Sequence, residues 1–240
     1  MNLCIDLGNT LIKVAAYEKQ QLKFFESAAS FSISDFKAIQ QKLNFQNTII
    51  SSVQSKKYDW QKWLSKNSDL HVLNAKSKVP FKNNYKSKNT LGTDRAAAVA
   101  GAVTLFGQKK CLIINAGTCM TIDFLNSKNV YEGGSISPGL NMRLKSMHKQ
   151  TAALPKVKAE FPKSFIGQTT EASLKSGGCY GMVHEITAWI DVYENAFKNV
   201  QVILSGGDSS QLALHIKRPI FVAPHLVMIG LNKILELNNE

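Results

Sequence analysis

The chain is short of acid. Seventeen Asp and Glu stand against 29 Lys and Arg, a formal net charge of +12 over 240 residues. Such an excess points to nucleic acid, to an anionic small molecule or to solubility alone. The lysines are scattered, densest in KSKVPFKNNYKSK at 76–88, with no recognition-helix or aromatic RNA-binding pattern beside them. A solvated basic surface is therefore expected, and a nucleic-acid partner is not. No apolar run approaches the ~18 residues of a membrane span. The N-terminus has Asp6 and no charged-then-apolar leader, so the expected location is the cytoplasm. The four cysteines (Cys4, Cys111, Cys119, Cys179) lack CxxC spacing and read as reduced thiols rather than disulfides or a zinc site. His71, His148, His184, His215 and His225 have no metal-ligand spacing. Neither GxxxxGK[ST] nor GxGxxG occurs, which removes support for a P-loop enzyme or a Rossmann dehydrogenase.

What is present is a repeated device. CLIINAGTCMTID at 111–123 reads as an apolar strand, a Gly-Thr turn and a second strand, and LCIDLGNTLIKVAAYE at 3–18 echoes it. In each, glycine lets backbone N–H groups approach a phosphate. One such hairpin is an ordinary turn; two suggest a duplicated fold.

In chain order, LCIDL, LIKVAAYE and LKFFESA are predicted strands, and ISDFKAIQQKL is an amphipathic helix with Ser34 as its cap. NTIISSV is a buried strand, WQKWLSK a short helix with packing tryptophans Trp60 and Trp63, and DLHVLNA another strand. A Lys- and Asn-rich stretch, 79–89, leads to a helix of small residues from Thr93. Asp94 in its first turn can serve the helix dipole, but the adjacent Arg95 is unfavourable there and wants an anion. Later, residues 131–155 hold two glycine turns and a helix ending near Thr151. Residues 167–197 read as two helices, or as one broken at Gly177-Gly178. Ser205-Gly206-Gly207 follows a strand, as a nucleotide contact or a plain turn, and the chain closes in a helix. The expected architecture is α/β with two similar domains, 1–107 and 108–240.

DLGNT at 6–10, LGTDR at 91–95, NAGTCMTID at 115–123, GGSISPG at 133–139, TAALP at 151–155 and GQTTEASLKSG at 167–177 occur in one order over nearly the whole chain. Together they resemble the type III pantothenate kinases of the actin, hexokinase and heat-shock-chaperone superfamily, which implies that the two domains are actin- and ribonuclease H-like, around a central cleft. The resemblance implies ATP-dependent phosphorylation of pantothenate, the first step towards coenzyme A. It implies Asp94 as general base, with Tyr85, Gly92, Thr93, Asp94 and Arg95 around pantothenate and Arg95 holding its carboxylate. Thr170 would reach pantothenate from a partner subunit, which implies a homodimer. Asp6, Leu7, Gly8, Asn9, Thr10, Lys13, Gly117 and Thr118 would line the ATP phosphates, with Thr121 beside them. Asp6 would hold Mg2+ through water.

The sequence departs from that pattern at two places. Asn115 stands where the family has an aspartate that ligates a monovalent cation, K+ or NH4+. An amide keeps an oxygen and loses the charge, so that cation should bind more weakly while Mg2+ dependence persists. Lys88 stands where proline is common. Asn115 also sustains an alternative, a degenerate homologue that regulates by binding a ligand or nucleic acid.

Overall fold

The computed structural model describes residues 1–54 and 57–239. The chain forms two compact units: Met1–Gln108 with Lys128–Glu132 and His225–Glu240, and Lys109–Ser127 with Gly133–Pro224.

In the first unit the order is β1 (Asn2–Leu7), β2 (Ile12–Glu18), β3 (Gln21–Ala28), α1 (Ile33–Leu43), β4 (Asn47–Ser52), α2 (Asp59–Asn67), β5 (Asp69–Val72), β6 (Lys82–Asn83) and α3 (Thr93–Phe106). The sheet runs β3-β2-β1-β4-β5, antiparallel through β1–β2–β3 and parallel through β1–β4–β5. Apolar residues of β1 and β2, Leu3, Ile5, Leu7, Ile12 and Val14, pack on Phe36 and Ile39 of α1 and on Trp60 and Leu64 of α2. Helix α1 is capped by Ser32 rather than by the expected Ser34. The Ser32 hydroxyl accepts from Asp35 N at 3.3 Å, and the Asp35 carboxylate accepts from Ser32 N at 2.7 Å. This reciprocal box satisfies two orphan donors, which is why the helix begins there.

The second unit carries β7 (Lys110–Ala116), β8 (Cys119–Leu125), most of β9 (Val130–Pro138), α4 (Leu140–Gln150), α5 (Thr170–Ala196), β10 (Val200–Ser205), α6 (Ser209–Ala213) and β11 (Phe221–Val222). Its sheet runs β11-β10-β7-β8-β9, parallel through β11–β10–β7 and antiparallel between β7 and β8. Leu112, Ile114, Met120, Ile122 and Leu204 pack on Cys179, Met182 and Ile186 of α5. That helix is unbroken over 27 residues, so Gly177-Gly178 does not interrupt it. The glycine serves packing instead: a Cβ at Gly178 would stand 2.6 Å from the Leu144 side chain of α4.

The last helix, α7 (Leu226–Asn239), belongs to the first unit, whereas the single expected division near residue 107 placed it in the second. It packs along α3, whose Ala97, Ala98, Ala100 and Gly101 leave room for its backbone. Each unit thus repeats one pattern: a central strand antiparallel to the next in sequence and parallel to a later one. Among the described residues, no helix is long and apolar enough to cross a membrane.

Candidate active site

Asp6 is the last charged residue of β1 and is buried. In the ladder it faces Lys13 of β2 and Ser51 of β4. Lys13 Nζ lies 3.9 Å from Asp6 Oδ2, at the limit of an ion pair. Burial pushes the Asp6 carboxyl up to about 6, with Asp94 adding repulsion while Lys13 and a hydrogen bond from Ser51 pull the other way. The turn that follows, Gly8–Thr10, is held by Gln54, whose Nε2 donates to Gly8 O. Tyr58 OH in turn donates to Gln54 Oε1 at 3.2 Å.

The turn bearing Asp94 opens α3. Gly92 is the cap, and a Cβ there would stand 2.6 Å from Asp94 Oδ1, so glycine leaves the carboxylate its place. Asp94 Oδ1 accepts from Arg95 N at 2.9 Å. The Thr93 hydroxyl accepts from Ser51 Oγ at 3.0 Å and donates to Ser52 O at 3.2 Å. Arg95 is buried, with its guanidinium carbon 5.5 Å from the centre of the Tyr85 ring, within cation–π range. Tyr85 is fixed by its backbone N–H donating to Asn83 Oδ1 at 2.8 Å and by Tyr131, 5.9 Å away between ring centres. β6 pairs with the start of β9 and so places Asn83 beside Tyr131. The first unit therefore gathers Asp6, Lys13, Asp94, Arg95 and Tyr85 around two adjoining turns.

In the second unit, Asn115 occupies on β7 the place that Asp6 occupies on β1. It faces Thr121 of β8 and Ser205 of β10. These three lie on the sheet face opposite Ile114 and Ala116, which pack on α5. Thr121 Oγ1 and Ser205 Oγ are buried with no hydrogen-bond partner among the described residues. Gly117 and Thr118 form the turn between β7 and β8, closed by Gly117 N donating to Cys119 O at 3.0 Å. The loop after Ser205 folds back on that turn, as Asp208 N donates to Ala116 O at 3.1 Å. Thr170 begins α5 and is exposed, while the capping is done by Thr169, whose hydroxyl accepts from Ala172 N at 3.1 Å.

The donor sets meet the implied ions differently. Among the described residues no group of three or more His, Cys, Asp or Glu is arranged to hold a metal. Asp6, a buried carboxylate held by a Ser51 hydrogen bond with Lys13 at 3.9 Å, suits Mg2+ bound largely by water and phosphate. Asn115, Thr121 and Ser205 supply neutral oxygens alone, two of them unsatisfied. Sequence reasoning overlooked Ser51 and Gln54. Ser51 follows the apolar pair Ile49-Ile50 as Asp6 follows Leu3–Ile5, and that parallel was its one signal.

A duplicated sheet pattern with a polar residue and a glycine turn at the end of each central strand defines the fold of the actin and hexokinase class. The ROK hexokinase of Thermus thermophilus shares the fold, with a TM-score of 0.52 at 10% identity, covering 99% of both chains. A Baf-family protein of Campylobacter jejuni also shares it, with a TM-score of 0.61 at 22% identity over 99% of this chain and 98% of its own. The model of the type III pantothenate kinase family matches residues 2–192. The type III pantothenate kinase of Christiangramia forsetii is 41% identical over 99% of each chain, and that of Cytophaga hutchinsonii is 39% identical over 99% of this chain and 100% of its own. The chain belongs to the type III pantothenate kinases.

Proposed function

We propose that this protein transfers the γ-phosphoryl group of ATP to the primary hydroxyl of pantothenate, the first step of coenzyme A synthesis, in the cytoplasm. The observation that carries the reading is the pairing of Asp6 and Asp94 within electrostatic reach, with Arg95 in the same helical turn as Asp94.

Phosphoryl transfer leaves the protein mainly positioning and charge neutralisation to do. Asp94 accepts the proton of the attacking hydroxyl as the oxygen–phosphorus bond forms. Arg95 holds the pantothenate carboxylate in a forked contact while its other face rests on Tyr85. Gly92 and Thr93 bring the helix backbone close to the substrate. Leu7, Gly8, Asn9 and Thr10 turn their backbone towards the phosphates with Lys13 alongside, and Gly117 and Thr118 do so in the second unit. Asp6 would hold Mg2+, which would neutralise phosphate charge. Asn115 offers a monovalent cation only an amide oxygen, so K+ or NH4+ binds weakly there. Thr170 is exposed and spared from capping, as a residue that serves a partner subunit in a homodimer needs to be.

The test is ADP release in a coupled assay with ATP, Mg2+ and pantothenate, with and without K+. Pantothenate-dependent release supports the kinase. No release under any cation, with pantothenate still bound in calorimetry, sinks it in favour of a ligand-binding homologue.

A further inference from the structure

Helix α3 starts on Gly92, which offers no side chain to cap it. The turn carrying Asp94 therefore lacks the anchor that α1 has in Ser32 and α5 in Thr169. Its lateral tie is the Thr93 hydroxyl, which accepts from Ser51 Oγ at 3.0 Å and donates to Ser52 O at 3.2 Å. Ser51 is wholly buried on β4 and is the register neighbour of Asp6 on β1. Its single hydroxyl proton has two acceptors at hand, Thr93 Oγ1 and the Asp6 carboxylate. One small side chain thus joins the strand of Asp6 to Thr93, the residue before Asp94.

We propose that Ser51 is a positioning residue that, through Thr93, fixes the first turn of α3 and the Asp94 carboxylate against the strand carrying Asp6. This rests on Asp94 being the base. Neither hydroxyl needs to touch substrate. A buried hydroxyl with a defined partner holds a geometry that packing alone leaves looser, because leaving the partner unsatisfied costs free energy. A misplacement on the order of 1 Å at the base is enough to cost ~10²-fold in rate.

The experiment compares Ser51→Ala, Thr93→Val and Thr93→Ser with the unaltered enzyme. Three quantities are read: kcat, pantothenate Kd by calorimetry, and hydrogen exchange of the first-turn amides of α3. The expected result is kcat lowered roughly 10- to 100-fold in Ser51→Ala and Thr93→Val, with pantothenate Kd little changed in Ser51→Ala and first-turn exchange faster in both. Thr93→Ser, which keeps the hydroxyl, should recover most of what Thr93→Val loses. Unchanged kcat in both hydroxyl-free variants overturns the proposal. So does parallel loss of kcat and binding without recovery in Thr93→Ser, which marks a merely structural role. Should the unaltered enzyme show no pantothenate-dependent turnover, the functional reading falls. Hydrogen exchange then judges the anchor alone: unaltered first-turn exchange in the variants overturns it, and faster exchange upholds it.

Discussion

Asp6 and Lys13 face each other across the β1–β2 ladder with their charged atoms 3.9 Å apart, too far for the lysine to offset the burial of the carboxylate. The carboxyl titrates at about 6 in the folded chain, against an ordinary 3.8, chiefly because it is buried. Between those values the folded state binds more protons than the unfolded one. Stability of the ligand-free protein should therefore fall as pH rises through the window from about 4 to 6. The ionised group costs up to roughly 3 kcal/mol at neutral pH. Asp6→Asn should accordingly raise the Tm at pH 7 in the absence of Mg2+, with the advantage gone near pH 4, while abolishing turnover. Thermal melts at the two pH values check this; a Tm that drops equally at both would show that the carboxylate stabilises the fold.

Asp94 and Arg95 stand side by side in the first turn of α3. Asp94→Asn keeps the shape and the acceptor for Arg95 N but cannot take a proton. Turnover should fall by about 10²- to 10⁴-fold, the span of general base catalysis, with pantothenate binding largely intact because Arg95 remains. Calorimetry beside the coupled assay separates the two. Binding lost together with activity would make Asp94 structural.

The strands and their turns were legible because buried strands write apolar runs and glycine turns directly into the chain, as at Leu3–Asp6 and Cys111–Asn115. Asp94 and Arg95 were legible because two opposite charges at a helix start conflict with the dipole for one of them. Three features were not. Ser32 and Ser34 are equally good caps by composition, and only the reciprocal bond with Asp35 decides between them. Gly177-Gly178 reads as a break, yet α5 runs on because Leu144 fills the space that a side chain at Gly178 would take. The place of α7 depends on a partner more than a hundred residues earlier, α3, and no local pattern records it.

That α3–α7 crossing gives a prediction independent of catalysis. A Cβ at Gly230 would lie 1.7 Å from Ala97 O, a backbone atom that cannot swing aside. Gly230→Ala must push the helices apart and should cost about 3 kcal/mol, at the upper end for overpacking. For a chain of this size that is a Tm loss on the order of 10 °C. Gly177→Ala, where a Cβ meets nothing within 4 Å, should leave the Tm unchanged or slightly raised. Equal melts for the two variants would mean that the crossing is looser than its backbone contacts imply.

Asn115 and Asp6 hold equivalent places in the two units, one neutral and one charged, and the difference has a measurable consequence. A cation held by Asn115, Thr121 and Ser205 meets dipoles only, whereas a carboxylate at the same point adds a full charge to a partly buried site. Even after desolvation, that charge should be worth roughly tenfold or more in affinity. Asn115→Asp should therefore lower the K+ concentration for half-maximal activity by about that factor, while the unaltered enzyme shows weak or unsaturated K+ stimulation. The Mg2+ requirement should be the same in both, since Asp6 is unchanged. A K+ titration of each enzyme at saturating ATP and pantothenate reads the difference. If the unaltered enzyme already saturates at low K+, neutral oxygens suffice for the site and the charge argument fails.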